Sequence, residues 1–127
     1  MNDAHTKYLY ATYPKLYRQH TLPMSKTCMC WNFECGTGWF GIIDDLSRRI
    51  TEIDEREGNE TQAVQVKEKF GTLRFYTDFE TDAVSEAIRE AEERSAVTCE
   101  ECGKPGTMRE RHGWLMVRCD EHAKGDR

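Results

Sequence analysis

The apolar positions of this chain follow two periods in turn. Between residues 39 and 57, Trp39, Ile42, Ile43, Leu46, Ile50 and Ile53 step by three, one, three, four and three, a single stripe on the 3.6-residue period. The spacing predicts a helix over 39–57. Thr37 is its candidate N-cap, the acids Asp44 and Asp45 precede the bases Arg48 and Arg49 as the helix dipole prefers, and Gly58-Asn59 ends it. Residues 62–77 alternate instead. Val64, Val66, Leu73 and Phe75 fall on one face, with Gln65, Lys67, Lys69, Thr72, Arg74 and Tyr76 on the other. This predicts two strands joined by a tight turn at about Lys69–Gly71. The helical period returns over 81–95, where Val84, Ala87, Ile88 and Ala91 form a stripe of modest bulk. That helix is expected to lie flat across the sheet, with Glu86–Arg89 and Glu90–Arg94 as exposed pairs.

Ahead of this core, residues 1–27 are rich in tyrosine. Tyr10, Tyr13 and Tyr17 keep helical intervals, but Pro14 opens a new turn among them. One or two short helices packing aromatic faces onto the rest are expected. Residues 28–38, CMCWNFECGTG, read as a turn-rich segment with Gly36 and Gly38 before the main helix.

The tail changes the picture. Cys99 and Cys102 form a C-x-x-C, and Cys119 and His122 form a C-x-x-H with sixteen residues between the pairs. Zinc prefers four thiolate or imidazole ligands in a tetrahedron, and two regular pairs flanking a loop of this length supply them. Gly103, directly after Cys102, permits the positive φ that a zinc knuckle requires. Thr107–Arg111 and Trp114–Arg118 read as a hairpin turning at His112-Gly113, with the last pair at the start of a short helix. Knuckle, hairpin and helix start in that order are treble-clef-like. The fold class expected is α+β, a helix–β-hairpin–helix core over residues 1–97 with a zinc module over 98–127 packed on it. Three thiolates and one imidazole fill a tetrahedral ion, so the zinc is expected to be structural. His112 ranks far below His122 as a ligand because it sits at the predicted hairpin tip.

Cys28, Cys30 and Cys35 form a second group with His20 as the nearest imidazole. Three readings of it are open: a second zinc site, buried thiols, or redox chemistry at Cys35, which precedes a helix N-terminus that would favour its thiolate. The strand face with Lys67, Lys69, Arg74 and Tyr76 has two readings. It is a platform for phosphates or an acidic partner, or it is a solvated face whose aromatics are covered by the N-terminal tyrosines. Arg109, Arg111 and Trp114 of the tail hairpin, with Lys104 and Arg118, add to the same basic and aromatic set.

The chain has 127 residues, one domain's worth, with 38% apolar and 32% charged residues. A core drawn from so few apolar residues is thin, so a metal crosslink would help it. The longest apolar run, Trp39–Ile43, is far short of the roughly 20 residues a bilayer requires. The first ten residues lack a basic flank followed by an apolar stretch, so a cytoplasmic location is expected and the cysteines are expected to be reduced or metal-bound. The net charge of −5, from 18 basic and 23 acidic residues, counts against a general nucleic-acid binder. The acidic stretch from Glu80 to Glu101 suits self-association or docking on a basic protein, and equally an ordinary solvated helix. No phosphate loop, serine-nucleophile elbow or zinc-protease motif is present, so no enzymatic activity is expected.

The runs ECGTGWFGIIDDL and QVKEKFGTLRFY, a helix ending in a serine, and CEECGKPGTMRERHGWLMVRCDEH together resemble a group of small proteins encoded in bacteriophage and prophage genomes, over about residues 8–122. The resemblance carries over no catalytic residue. It implies a small accessory protein in an infected bacterium, one that binds a host protein complex, antiviral defence systems among them. A nucleic-acid or nucleotide partner on the basic strand face is the alternative expectation.

Overall fold

The stripe read over 39–57 folds as a helix over Phe40–Glu57 in the computed structural model, which describes residues 1–125. Residues 126–127 of the expected zinc module lie outside the described residues. The elements in chain order are α1 (Asp3–Thr12), β1 (Phe33–Glu34), α2 (Phe40–Glu57), β2 (Ala63–Lys69), β3 (Thr72–Thr77), α3 (Asp82–Ser95), β4 (Thr107–Arg111), β5 (Trp114–Arg118) and α4 (Asp120–Gly125). The architecture is α+β: a three-stranded sheet in the order β1-β2-β3, a separate β4–β5 hairpin, and helices around them.

In α2, Ile42, Ile43, Leu46, Ile50 and Ile53 are buried. Gly58 closes the helix in the left-handed region, where a residue without a Cβ is unstrained, and its N–H returns to Asp54 O at 2.8 Å. The start differs from expectation. A 3₁₀ turn over Thr37–Trp39 precedes the helix, and Trp39 occupies the cap position without a side-chain cap. Thr37 is not the cap because its Oγ1 is taken by His5 Nδ1 of α1 and by the amide of Asn2, the N-cap of α1.

The hairpin β2–β3 turns through Phe70 and Gly71, both at positive φ (54° and 89°), which is a type I′ turn. Ala63 pairs with Thr77 and Gln65 with Tyr76, so Val64 is the extra residue of a bulge. The bulge takes Val64 off the face it was expected to share with Val66. Ala63 is buried beside Val66, while Val64 is only half-buried, and its carbonyl accepts the Cys28 N–H. The third strand, β1, has no period of its own. It exists through parallel pairing of Phe33 with Val66 and Glu34 with Lys67.

The helix α3 does not cross the sheet. It runs along the outer edge of β3, where the Leu73 and Phe75 N–H groups would otherwise be unpaired, and supplies Ser95 Oγ at 2.9 Å and the Glu92 carboxylate at 3.2 Å. This placement explains its small residues: Ala87 and Ala91 are buried against neighbours rather than filling a wide core. Glu90 and Arg94 do not pair with each other. Glu90 binds Arg49 and Arg94 binds Asp45, both on α2, while the Glu86–Arg89 pair forms as expected.

The tyrosine-rich segment packs as expected. Tyr17 is fully buried and hydrogen-bonded to Ser47 at 2.6 Å, and Tyr13 donates to the Asp44 carboxylate at 2.6 Å. Tyr10 and Tyr17 lie against Phe33, on the core side of the sheet rather than over the Lys67–Arg74 face.

Candidate metal centre

After Ser95 the chain leaves α3 and turns back on itself. Cys99 N–H donates to Lys104 O at 2.8 Å and Gly103 N–H to Cys99 O at 2.9 Å. Gly103 has φ +82°, as the knuckle requires. The β4–β5 hairpin then turns through His112 and Gly113, again both at positive φ, and returns Cys119 to the knuckle. Ala123 N–H donates to Cys119 O at 2.9 Å, opening α4 and carrying His122 onto the same side.

The four ligand atoms of Cys99, Cys102, Cys119 and His122 all lie within 4.8 Å of one another. A tetrahedral zinc with Zn–S of about 2.3 Å and Zn–N of about 2.05 Å requires S···S edges of about 3.8 Å and S···N edges of about 3.6 Å. The Cys102–Cys119 edge is 3.7 Å, and His122 Nδ1 lies 3.8 Å from Cys99 Sγ and 3.2 Å from Cys119 Sγ. The donor set and the spacing both fit the ion. The Cys119 thiol is lowered to about 6, first by the His122 backbone N–H and then by its ring. The thiolate is the form a metal takes.

The knuckle is docked on the core through the ECGTGW segment. Gly38 N–H donates to Glu100 O at 2.8 Å, Gly36 N–H to the Glu100 carboxylate at 2.8 Å, and Trp39 Nε1–H to Thr98 O at 2.9 Å. A Cβ on Gly38 would stand 2.3 Å from Cys99 O, and one on Gly36 2.3 Å from Glu100 O. The two glycines therefore serve close backbone approach. Glu100 also pairs with Arg118 of β5 at 3.3 Å, with both side chains largely buried. Sequence reasoning missed Glu100, which looks like one more acid in an acidic stretch. Its position between two ligand cysteines was the available signal.

Lys67 faces Arg74 and Gln65 faces Tyr76 across β2–β3, so with Lys69 they share one sheet face, and Tyr76 is partly exposed. The hairpin cations divide. Arg109 is held by Asp120 at 2.8 Å and Arg118 by Glu100 and Glu101, so the expected positive face is largely neutralised next to the metal cluster. Arg111 and Trp114 pair across the hairpin near its tip, and His112 is exposed in the turn, away from the ligands. Cys28, Cys30, Cys35 and His20 do not gather: among the described residues one group has metal-holding geometry, and they are outside it. His20 stacks on Tyr10, Cys30 Sγ contacts Thr27 O, and Cys35 is buried. The Cys35 thiol is pushed up to about 12 by that burial, the opposite of the thiolate expected before a helix. No helix among the described residues is long and apolar enough to cross a membrane.

No protein-family model, curated protein or solved structure matches this chain, so the reading of the centre rests on its geometry.

Proposed function

We propose that this chain is a non-enzymatic, zinc-stapled binding protein, a phage accessory protein that occupies a host protein complex such as an antiviral defence assembly. The observation that carries the reading is the use made of the metal ligands. Four protein side chains meet the full tetrahedral demand of zinc, and the knuckle they hold is spent on docking a hairpin against the core. The ion then supplies folding energy, and the product is a shaped surface. Affinity capture from bacterial lysate with the zinc-loaded protein is expected to return one partner in stoichiometric amount. Repeated capture of nothing by the folded protein would overturn the proposal.

A second reading is favoured by one observation: Lys67, Lys69, Arg74 and Tyr76 lie on the same face of the β2–β3 hairpin. A nucleic acid or nucleotide bound there would bind in a salt-sensitive way, weakened several-fold by Arg74→Ala. The net charge of −5 and Glu34 beside Lys67 weigh against it.

A further inference from the structure

Residues 96–123 bury only Cys99 and Val117. Hydrophobic burial therefore holds this part of the chain weakly, and the order of the knuckle depends on an ion shared by its ligands. Glu100, next to the ligand Cys99, links the knuckle to the rest of the molecule. Its N–H donates to Val117 O at 3.1 Å and its carboxylate pairs with Arg118, so the hairpin fixes it from one side. On the other side its carbonyl accepts the Gly38 N–H and its carboxylate the Gly36 N–H. Thr37 lies between those two glycines, so Glu100 sets where Thr37 stands.

Thr37 in turn holds the start of α1. Its Oγ1 meets the ring nitrogen Nδ1 of His5 and accepts from the Asn2 amide at 3.1 Å. Asn2 Oδ1 accepts the His5 N–H at 2.8 Å, so one side chain both caps α1 and ties it to the loop. The Met1 amino group donates to the carbonyl of Cys35, two residues before Thr37. Little else holds this end: none of residues 1–8 is buried, and only the rings of His5 and Tyr8 lie against Phe40. The other end is pinned by the core. Leu9 is fully buried, Tyr10 donates to Asn32 at 2.8 Å, and Tyr13 donates to Asp44. A helix of ten residues is marginal in water without tertiary support, so its first half stays formed only while the loop holds it.

We propose that zinc occupancy gates the first half of α1. With the ion bound, Glu100 presents Thr37 to Asn2 and His5. Without it the loop 35–38 loosens and residues 1–8 leave Phe40, while the core of α2, β2, β3 and α3 stays folded on its own buried side chains. Such a coupling is reciprocal, so removing the Thr37 anchor weakens zinc binding by the factor that zinc contributes to docking. The metal cluster and α1 are then two ends of one device, and release of α1 uncovers the Phe40 surface in response to the metal.

The proposal rests on the zinc reading of the cluster and is tested separately from it. Hydrogen exchange of the full chain is followed by mass spectrometry, zinc-loaded and after chelation by EDTA, with zinc per chain measured on the same samples. Chelation is expected to speed exchange in residues 1–8 and 36–38 about tenfold or more, while β2 and β3 keep their protection. Thr37→Val removes the hydroxyl and leaves Glu100 on its two glycines. In the zinc-loaded protein it should release residues 1–8, keep the β4–β5 hairpin protected, and lower zinc affinity several-fold in competition with a chromophoric chelator. Glu100→Ala should release the loop and α1 with one zinc still bound. Residues 1–8 equally protected before and after loss of one zinc would overturn the coupling and leave the metal centre standing. So would loss of protection throughout the chelated core, or Thr37→Val with residues 1–8 still protected or zinc affinity unchanged. A chain that takes up no zinc would remove the centre and the coupling together.

Discussion

At the scale of single residues, Cys35 shows how two local effects compete. A cysteine just ahead of a helix gains a fraction of a kcal/mol to about 1 kcal/mol for its thiolate from the helix dipole. Here a 3₁₀ turn separates it from α2, and it is buried, so desolvation wins and its pKa rises from 9.0 to about 12 against the opposing pull of the Met1 ammonium. A raised acid pKa means that the folded state prefers the neutral thiol. That contribution is complete below about pH 9 and is lost as pH rises from there towards about 12. The burial-raised Tyr10 adds to the same alkaline loss. At pH 8, a disulfide reagent is expected to label the exposed Cys28 quickly and Cys35 only after denaturation. The melting temperature should fall between pH 9 and 11, less steeply in Cys35→Ala. Labelling of Cys35 at the rate of Cys28 in the folded protein would contradict this account.

Elements differ in how much of them their own residues dictate. The helix α2 and the two hairpins were readable because an amphipathic stripe, an alternating run and an X-Gly turn are local patterns. The strand β1 was not, since two residues carry no period and it forms only through Val66 and Lys67 on β2. The course of α3 was not either. Its stripe told that one face is buried but not that Ser95 and Glu92 would cap the edge of β3. The docking of the knuckle yields a direct test. Gly38→Ala would place its methyl 2.3 Å from Cys99 O, a backbone atom that cannot turn away. Separation of the loop from the knuckle is expected to cost about 1–3 kcal/mol or more. Urea denaturation of the zinc-loaded variant measures it, and Gly41→Ala, helical and with open space around the added methyl, is the control that should lose no stability and gain up to about 1 kcal/mol.

Over the whole molecule, Cys99, Cys102, Cys119 and His122 gather where a metal ion would crosslink a chain whose apolar content is low. Apparent zinc affinities in small structural modules are on the order of 10 kcal/mol, comparable with the total stability of a domain. Elemental analysis is expected to find about one zinc per chain, and Cys102→Ser none, with a melting temperature about 10 °C or more lower. A variant with undiminished zinc and unchanged melting would refute the centre. The sequence by itself determined the α+β class, the main helix, both hairpins and the Cys99, Cys102, Cys119 and His122 cluster, because each depends on spacing within a short stretch of chain. Only the tertiary structure decided the other features: the separation of Cys28, Cys30 and Cys35, the anchoring of Glu100 on Gly36 across 64 positions, and the seating of Asn2 and His5 on Thr37. These depend on which segments touch, and a linear pattern carries no record of contacts between segments far apart in the chain.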